Sequence, residues 1–185
     1  NGSISIAGIL LDPKDDGGDS AVLDWLLEQG QLLIRDARVT LRDERATPVR
    51  DVVFSDADLL LESGLAGPRF GCRLAPPAAY AAPVDLRGDF RTPPFGSKAD
   101  FAKWKGEVFA QVDYVDLAWL NQWLHAPIDV RRANGALRAW LRIDSSELVG
   151  GTADLALKDV DAQLGRDLQR LQLSSFQGRV TQTRW

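Results

Sequence analysis

Apolar and polar residues take turns along most of this chain, the period of a strand with one dry face and one wet face. Ala37, Val39 and Leu41 alternate with Arg38, Thr40 and Arg42. Val53, Ser55, Ala57, Leu59 and Leu61 make a second run, with Asp56, Asp58 and Glu62 opposite. Phe70, Cys72 and Leu74 form a shorter one, and Val84, Leu86, Gly88 and Phe90 then stand against Asp85, Arg87, Asp89 and Arg91. Val108, Ala110, Val112 and Tyr114 alternate with Glu107, Gln111 and Asp113. Leu137, Ala139, Leu141 and Ile143 do so with Arg138, Arg142 and Asp144. Three further strands are expected at 152–157, 160–164 and 168–174. One-sided alternation is the habit of antiparallel sheets, because strands of parallel sheets are covered on both faces. For about nine or ten strands in series, a meander is the simplest topology.

Turn chemistry divides the runs at Thr47-Pro48, Ser63-Gly64, Gly67-Pro68, Pro93-Pro94, Asn134-Gly135 and Gly150-Gly151. Asn134-Gly135 is the strongest of these signals, since both residues tolerate positive φ. Two segments change period. Residues 19–28 carry Val22, Leu23, Leu26 and Leu27 at helical spacing, with Asp19 as N-cap and Gly30 at the stop. Residues 116–124 carry Leu117, Leu120 and Leu124 on one stripe, with Trp119 and Trp123 beside it. Asp113 or Asp116 serves as the cap of this second helix, and Pro127 lies just beyond it. Leu23-x-Trp25-Leu26 resembles Leu117-x-Trp119-Leu120, and strands follow each. The expected fold is therefore mainly β with two short α-helices: an antiparallel amphipathic meander, shaped as a curved groove, half-barrel or sandwich. It reads as one piece of a larger chain, divisible into two units, 1–95 and 96–185, each with a helix packed on antiparallel strands.

Composition narrows the function classes. A chain of 185 residues and 20.3 kDa should fold to a surface of roughly 8,800 Å², burying about 70% of its extended area, so a core needs no disulfide or metal. The net charge of −4 argues against nucleic acid or an anionic membrane as partner, because both call for a basic face. The single cysteine, Cys72, excludes an internal disulfide and reads as a small buried hydrophobe. No apolar run approaches the ~20 residues that cross a bilayer. The chain contains no Met, which marks it as an excised or processed portion, so membrane contact is expected only through parts absent here.

Catalytic chemistry finds little to work with. Acid–base and nucleophilic catalysis need partners within reach, and His125, the sole histidine, sits at a helix end, where binding the last carbonyls is the plain reading. One His, one Cys and scattered carboxylates give no metal-ligand spacing, and the acidic stretch 12–19 does not follow the order of a calcium loop. No phosphate-binding loop or nucleophile elbow is present. The expectation is a non-enzyme with no metal and no cofactor. Of the six tryptophans, Trp25, Trp119 and Trp123 are expected to cover the sheet from the helices. Trp140 stands on the polar side of its strand, either meeting a partner or lying over Arg stems. A sugar platform built on exposed tryptophans is a minor alternative.

A ten-strand amphipathic sheet has a dry face too large to leave in water. Two helices of about ten residues cover part of it. Curvature, neighbouring segments or a greasy ligand must take the rest, and each buried CH₂ of an acyl chain contributes ~0.8 kcal/mol.

The run Trp104-Lys105-Gly106-Glu107-Val108-Phe109, followed by Val115-Asp116-Leu117-Ala118-Trp119-Leu120 and Trp123-Leu124, resembles AsmA-like envelope proteins of the YhdP branch. Ala75-Pro76-Pro77, then Pro83 through Phe90, and the helix-then-strand segment from Trp25 to Leu41 are similar to the same branch. The resemblance runs from about Leu23 to Gly178. It implies a periplasmic middle portion of a protein anchored in the inner membrane of a Gram-negative bacterium. It also implies a long apolar β-groove serving phospholipid transport towards the outer membrane and envelope integrity. The family offers no catalytic residue to carry over. The inward positions expected to line such a groove are Val84, Leu86, Phe90, Val108, Val112, Leu137, Leu141, Ile143, Leu155 and Leu157. The alternative is a structural module whose sheet edges pair with remaining segments of the parent or with another protein.

Overall fold

The structure, a computed structural model, describes residues 4–6, 9–11, 25, 27–43, 50–65, 67–93, 100–124, 128–165 and 167–183. The short strands β1 (Ile4–Ile6) and β2 (Ile9–Leu11) pair with each other. Eight longer strands form one antiparallel sheet: β3 (Gln31–Asp43), β4 (Arg50–Ser63), β5 (Pro68–Ala75), β6 (Val84–Arg91), β7 (Lys105–Asp116), β8 (Asp129–Asp144), β9 (Glu147–Gln163) and β10 (Leu171–Thr183). Each pairs with its neighbours in sequence, so the sheet is a meander running from β3 to β10 that does not close on itself. Within it β6 pairs with β7 from Val84↔Val112 to Arg91↔Lys105.

Cross-strand partners share a face, and the register makes the two faces explicit. Leu59, Cys72, Leu86, Ala110, Ala139, Ala153 and Val180 form one row across the apolar face. On the other face Asp58, Arg73, Asp85, Gln111, Arg138, Asp154 and Arg179 form another. The charges along that second row nearly alternate in sign. A slip of one residue in any pair would carry carboxylates into the dry face, so hydrophobic and ionic patterns specify the same register.

Bulges shift the pleat where plain alternation would not. Asp36, Asp56 and Asp159 adopt positive φ (53°, 48° and 52°), a conformation that Asp tolerates better than most residues. At Asp56 the register of β4 shifts, so Val52 (4% exposed) and Phe54 face the core side in place of Val53 (43% exposed) and Ser55. A shift in β7 after Val112 likewise buries Val115 and turns Tyr114 outward. The expected strands at 152–157 and 160–164 are one strand, β9, bent at Asp159. Asn134-Gly135 and Gly150-Gly151 are not turns. The first lies within β8, where Gly135 takes φ 149° and a side chain would strike Ala156 of β9. The second lies within β9. The actual β8–β9 turn is Ser145-Ser146, both at positive φ (54° and 62°), closing the two-residue hairpin between Asp144 and Glu147.

The helix α1 (Leu117–Leu124) follows β7 directly. Asp116 caps it, its Oδ1 accepting from the backbone N–H groups of Ala118 (2.8 Å) and Trp119 (3.2 Å). Leu117 packs on a cluster of Ala133, Leu157, Val160 and Ala162, and with Leu120 on a second cluster of Ala81, Val112 and Val115. Of the expected first helix, Trp25, Leu27 and Glu28 are described and helical, and Gly30 ends it at φ 73°. Its Asp19 cap and Val22, Leu23 and Leu26 lie outside the described residues, as do Thr47-Pro48, Pro94, the 12–19 stretch, His125 and Pro127.

Candidate functional site

All ten residues expected to line a groove fall on the apolar face of the sheet. Val84, Val112, Leu137 and Leu155 sit side by side in one row. Leu86 stands in the next row, Val108 pairs with Leu141 in the row after that, and Phe90, Gly106 and Ile143 align beyond. Leu157 lies one step past Leu155, under α1. Phe90, Val112 and Leu157 are buried, and the other seven are half-buried.

Two covers explain that split. At one end α1 lies over the Leu157 and Val115 clusters, and Arg50 Nη1 donates to Gln122 Oε1 at 3.1 Å, tying the helix to the start of β4. Tyr80 stacks on Trp119 (5.2 Å, 4°), while the backbone of Tyr80 and Ala82 bonds to Asp116 and Tyr114. At the other end an aromatic chain runs Phe70–Phe90–Trp104–Phe101, with centroid spacings of 6.2, 5.0 and 4.7 Å. Gly88 and Gly106 make room for these rings. A Cβ at Gly88 would collide with Phe70 and stand 2.7 Å from the Phe90 ring. The short 3-10 turn Phe101–Lys103 holds Trp104 in place through the β8–β9 hairpin: Ser145 N–H donates to Trp104 O and Ser146 Oγ to Phe101 O.

Between the covers, Leu86, Val108, Leu141 and the alanine row stand on an open apolar strip. The chain's total exposed surface, 12789 Å², is far above the roughly 8,800 Å² of a compact chain of this mass. The expected helix cover is uneven. Trp119 and Trp123 are half-buried on α1, whereas Trp25 is 58% exposed and Leu27, two residues on, takes the buried place at 3%.

The opposite face is built differently. Arg179 forms a bidentate pair with Asp154 (2.6 and 2.8 Å), Arg42 one with Asp51, and Arg69 a pair with Asp89. These hydrogen bonds hold the Asp154 and Asp51 carboxyls below the usual range, and the Asp154 carboxylate raises Arg179. Asp144 is lowered by the Ser145 hydroxyl first and by Lys105 second. Trp140 packs at a tilt on Phe109 (5.4 Å, 51°), with the Arg179 guanidinium over its ring at 5.9 Å, so it lies under an arginine while staying 38% exposed. A depression of about 410 Å³ opens among Ala136, Arg138, Asp154, Ala156 and Gln177, and another of about 230 Å³ around Gly71. Both reflect small residues among long charged ones. Cys72 lies on the apolar face, where burial and then the Asp58 charge raise its thiol pKa.

Among the described residues, no three His, Cys, Asp or Glu side chains gather as a metal site, and no helix is long and apolar enough to cross a membrane. Plain alternation missed the positions that complete the apolar face beyond each bulge: Val52, Val115, Ala133, Val160 and Ala162. The available signal was a phase slip, two apolar residues in a row or two polar ones, as at Val52-Val53, Arg131-Arg132 and Lys158-Asp159. A family model described as YhdP protein matches residues 3–184. No curated protein and no solved structure matches the chain.

Proposed function

The chain belongs to the YhdP family, and from that premise we propose that it is a non-catalytic periplasmic segment of an inner-membrane-anchored protein, whose open apolar strip carries phospholipid acyl chains. The observation behind this reading is the half-buried strip of Leu86, Val108 and Leu141 between α1 and the Phe90–Trp104 cluster, on a sheet that stays open. Apolar surface of that extent calls for a cover. An acyl chain supplies one at ~0.8 kcal/mol per buried CH₂, on the order of 10 kcal/mol for a tail of ordinary length. The alanines and glycines of the strip leave a low floor over which a chain can lie without displacing side chains. The paired charges of the opposite face, such as Arg179 with Asp154 and Arg69 with Asp89, keep much of that surface in water.

The test is site-specific photo-crosslinking in the full-length protein in its own membranes, with the photoreactive residue at Leu86 or Leu141 and controls at Arg87 and Arg142 on the charged face. Mass spectrometry should find phospholipid adducts at the first two positions and not at the controls. Equal labelling of the two faces, or none on the apolar one, would refute the reading.

A further inference from the structure

The low places of the apolar face form a line. Along β8 that face reads Leu137, Ala139, Leu141 and Ile143, so the low point is one residue long and shut in by leucines. Across the strands, the same Ala139 pairs with Ala110 on β7 and Ala153 on β9, a floor of three alanines. Leu86 on β6 stands at one end of this floor and Val180 on β10 at the other. The result is a trough perpendicular to the strands.

Its walls are the adjoining rows of the register, and their glycine gaps are filled from beside. Val112, Leu137 and Leu155 make one wall, continued at Gly178 by the Phe176 ring, 3.1 Å from where a Cβ would stand. Val108 and Leu141 make the other. Leu141 leans over Gly151, its Cδ2 2.9 Å from where a Cβ would stand, and the Phe70 ring fills the place beside Gly88. Rows on one face recur every two residues, so each wall lies roughly 6.8 Å from the midline of the floor. Carbon atoms touch at about 4 Å, and the walls have thickness of their own, so one alkyl chain fits between them and two abreast do not. Leu86 and Val180 are four strand spacings apart, roughly 19 Å, and their side chains narrow the clear length to about 15 Å. That is the length of one lipid tail, half of the ~30 Å hydrocarbon core of a bilayer.

We propose, resting on the lipid reading above, that this trough takes a single unbranched acyl chain lying across the strands, and that Ala110, Ala139 and Ala153 select it. A straight chain meets the floor and both walls at once. A methyl branch needs width that the walls do not leave, and a larger residue on the floor lifts the chain off it.

The test uses the full-length protein in its own membranes, from cells fed palmitic acid carrying a diazirine at mid-chain or at the chain end, with adducts mapped by peptide sequencing. Mid-chain adducts should fall on the alanines and their walls, and chain-end adducts on Leu86 and Val180, in different strands. Ala110→Leu and Ala153→Leu, both at half-buried positions, should each lower the labelling about tenfold, the loss of roughly two methylene contacts. Thr152→Leu, which adds bulk to the opposite face of β9, should leave it unchanged. For the purified wild type, unlabelled palmitate should compete with the probe and methyl-branched phytanate should not. Chain-end adducts confined to one strand, labelling undiminished in both alanine variants, or equal competition by phytanate would each overturn this proposal and leave the lipid reading standing. No adduct anywhere on the apolar face would overturn both.

Discussion

Leu141 and Leu157 are both leucines on the apolar face, yet truncating them should have different costs. Leu157 is 8% exposed, inside the cluster of Ala133, Val160 and Ala162 beneath α1. Leu157→Ala should therefore lose both the transfer free energy and a cavity term, about 3 kcal/mol in all. Leu141 is half-buried and rests on Gly151, whose absent side chain would stand 2.9 Å from the leucine Cδ2. Water already reaches part of it, and removing it opens no closed cavity. At ~25 cal/mol per Å² over about half a side chain, Leu141→Ala should cost about 1 kcal/mol. Urea unfolding followed by tryptophan fluorescence would give both values, provided the slope of the transition is unchanged between variants. If Leu141→Ala is as costly as Leu157→Ala, the strip is a closed core and the lipid reading loses its basis. The same pair has a second readout. A short-chain phosphatidylcholine at about 100 times its Kd should stabilise the wild type by about 2.7 kcal/mol. Leu141→Asn should abolish that gain, while costing in its absence at least the ~1 kcal/mol of Leu141→Ala.

Three further outcomes follow from local geometry. Gly88→Ala should displace the Phe70 and Phe90 rings and cost about 1–3 kcal/mol, visible as a lower melting temperature and a weaker near-ultraviolet dichroism signal. Asp116→Ala removes the α1 cap and should cost about 1 kcal/mol in a urea titration, while Asp116→Asn, which keeps an acceptor, should cost less. The folded-state pKa values of Asp51, Asp144 and Asp154 lie below their unfolded values, so their contribution is complete above about pH 4 and is lost as the pH falls through the folded values. Acid unfolding should steepen below pH 4, and Asp154→Asn should flatten that limb in a pH series of urea midpoints.

How much of this was legible in the sequence depended on whether the controlling force was local. The class of fold, the order of strands and the dry-face identities of Val84–Phe90, Val108–Val112 and Leu137–Ile143 follow from alternation, because β6, β7 and β8 pair there without a register shift. The Asp116–Leu117 helix start was legible too, since a cap and an apolar stripe lie within one turn. What failed was phase. Asp56 sits in an alternating run as an ordinary polar residue and Asp159 falls between two expected strands, and nothing at the level of period two says that they adopt positive φ within continuous strands. Pairing with neighbouring strands decides it. Asn134-Gly135 misled for a related reason: residues that suit a tight turn also suit a bulge, and Ser145-Ser146 supplied the turn although its composition is a weaker signal. The two covers of the strip depend on contacts distant in sequence, such as Arg50 with Gln122 and Ser146 with Phe101, which no local pattern encodes.

That each strand pairs only with those before and after it in sequence has a consequence for how the molecule is made. No contact between neighbouring strands has to wait for a distant part of the chain, so a sheet of this order can form strand by strand as the polypeptide emerges. Its energetics approach those of a one-dimensional array, in which each unit is stabilised by the interfaces on its two sides. Damage to one strand should then fray the sheet outward from that point and leave the remainder standing. Whichever strand forms last is also a template, with its hydrogen-bonding groups already set out for the next.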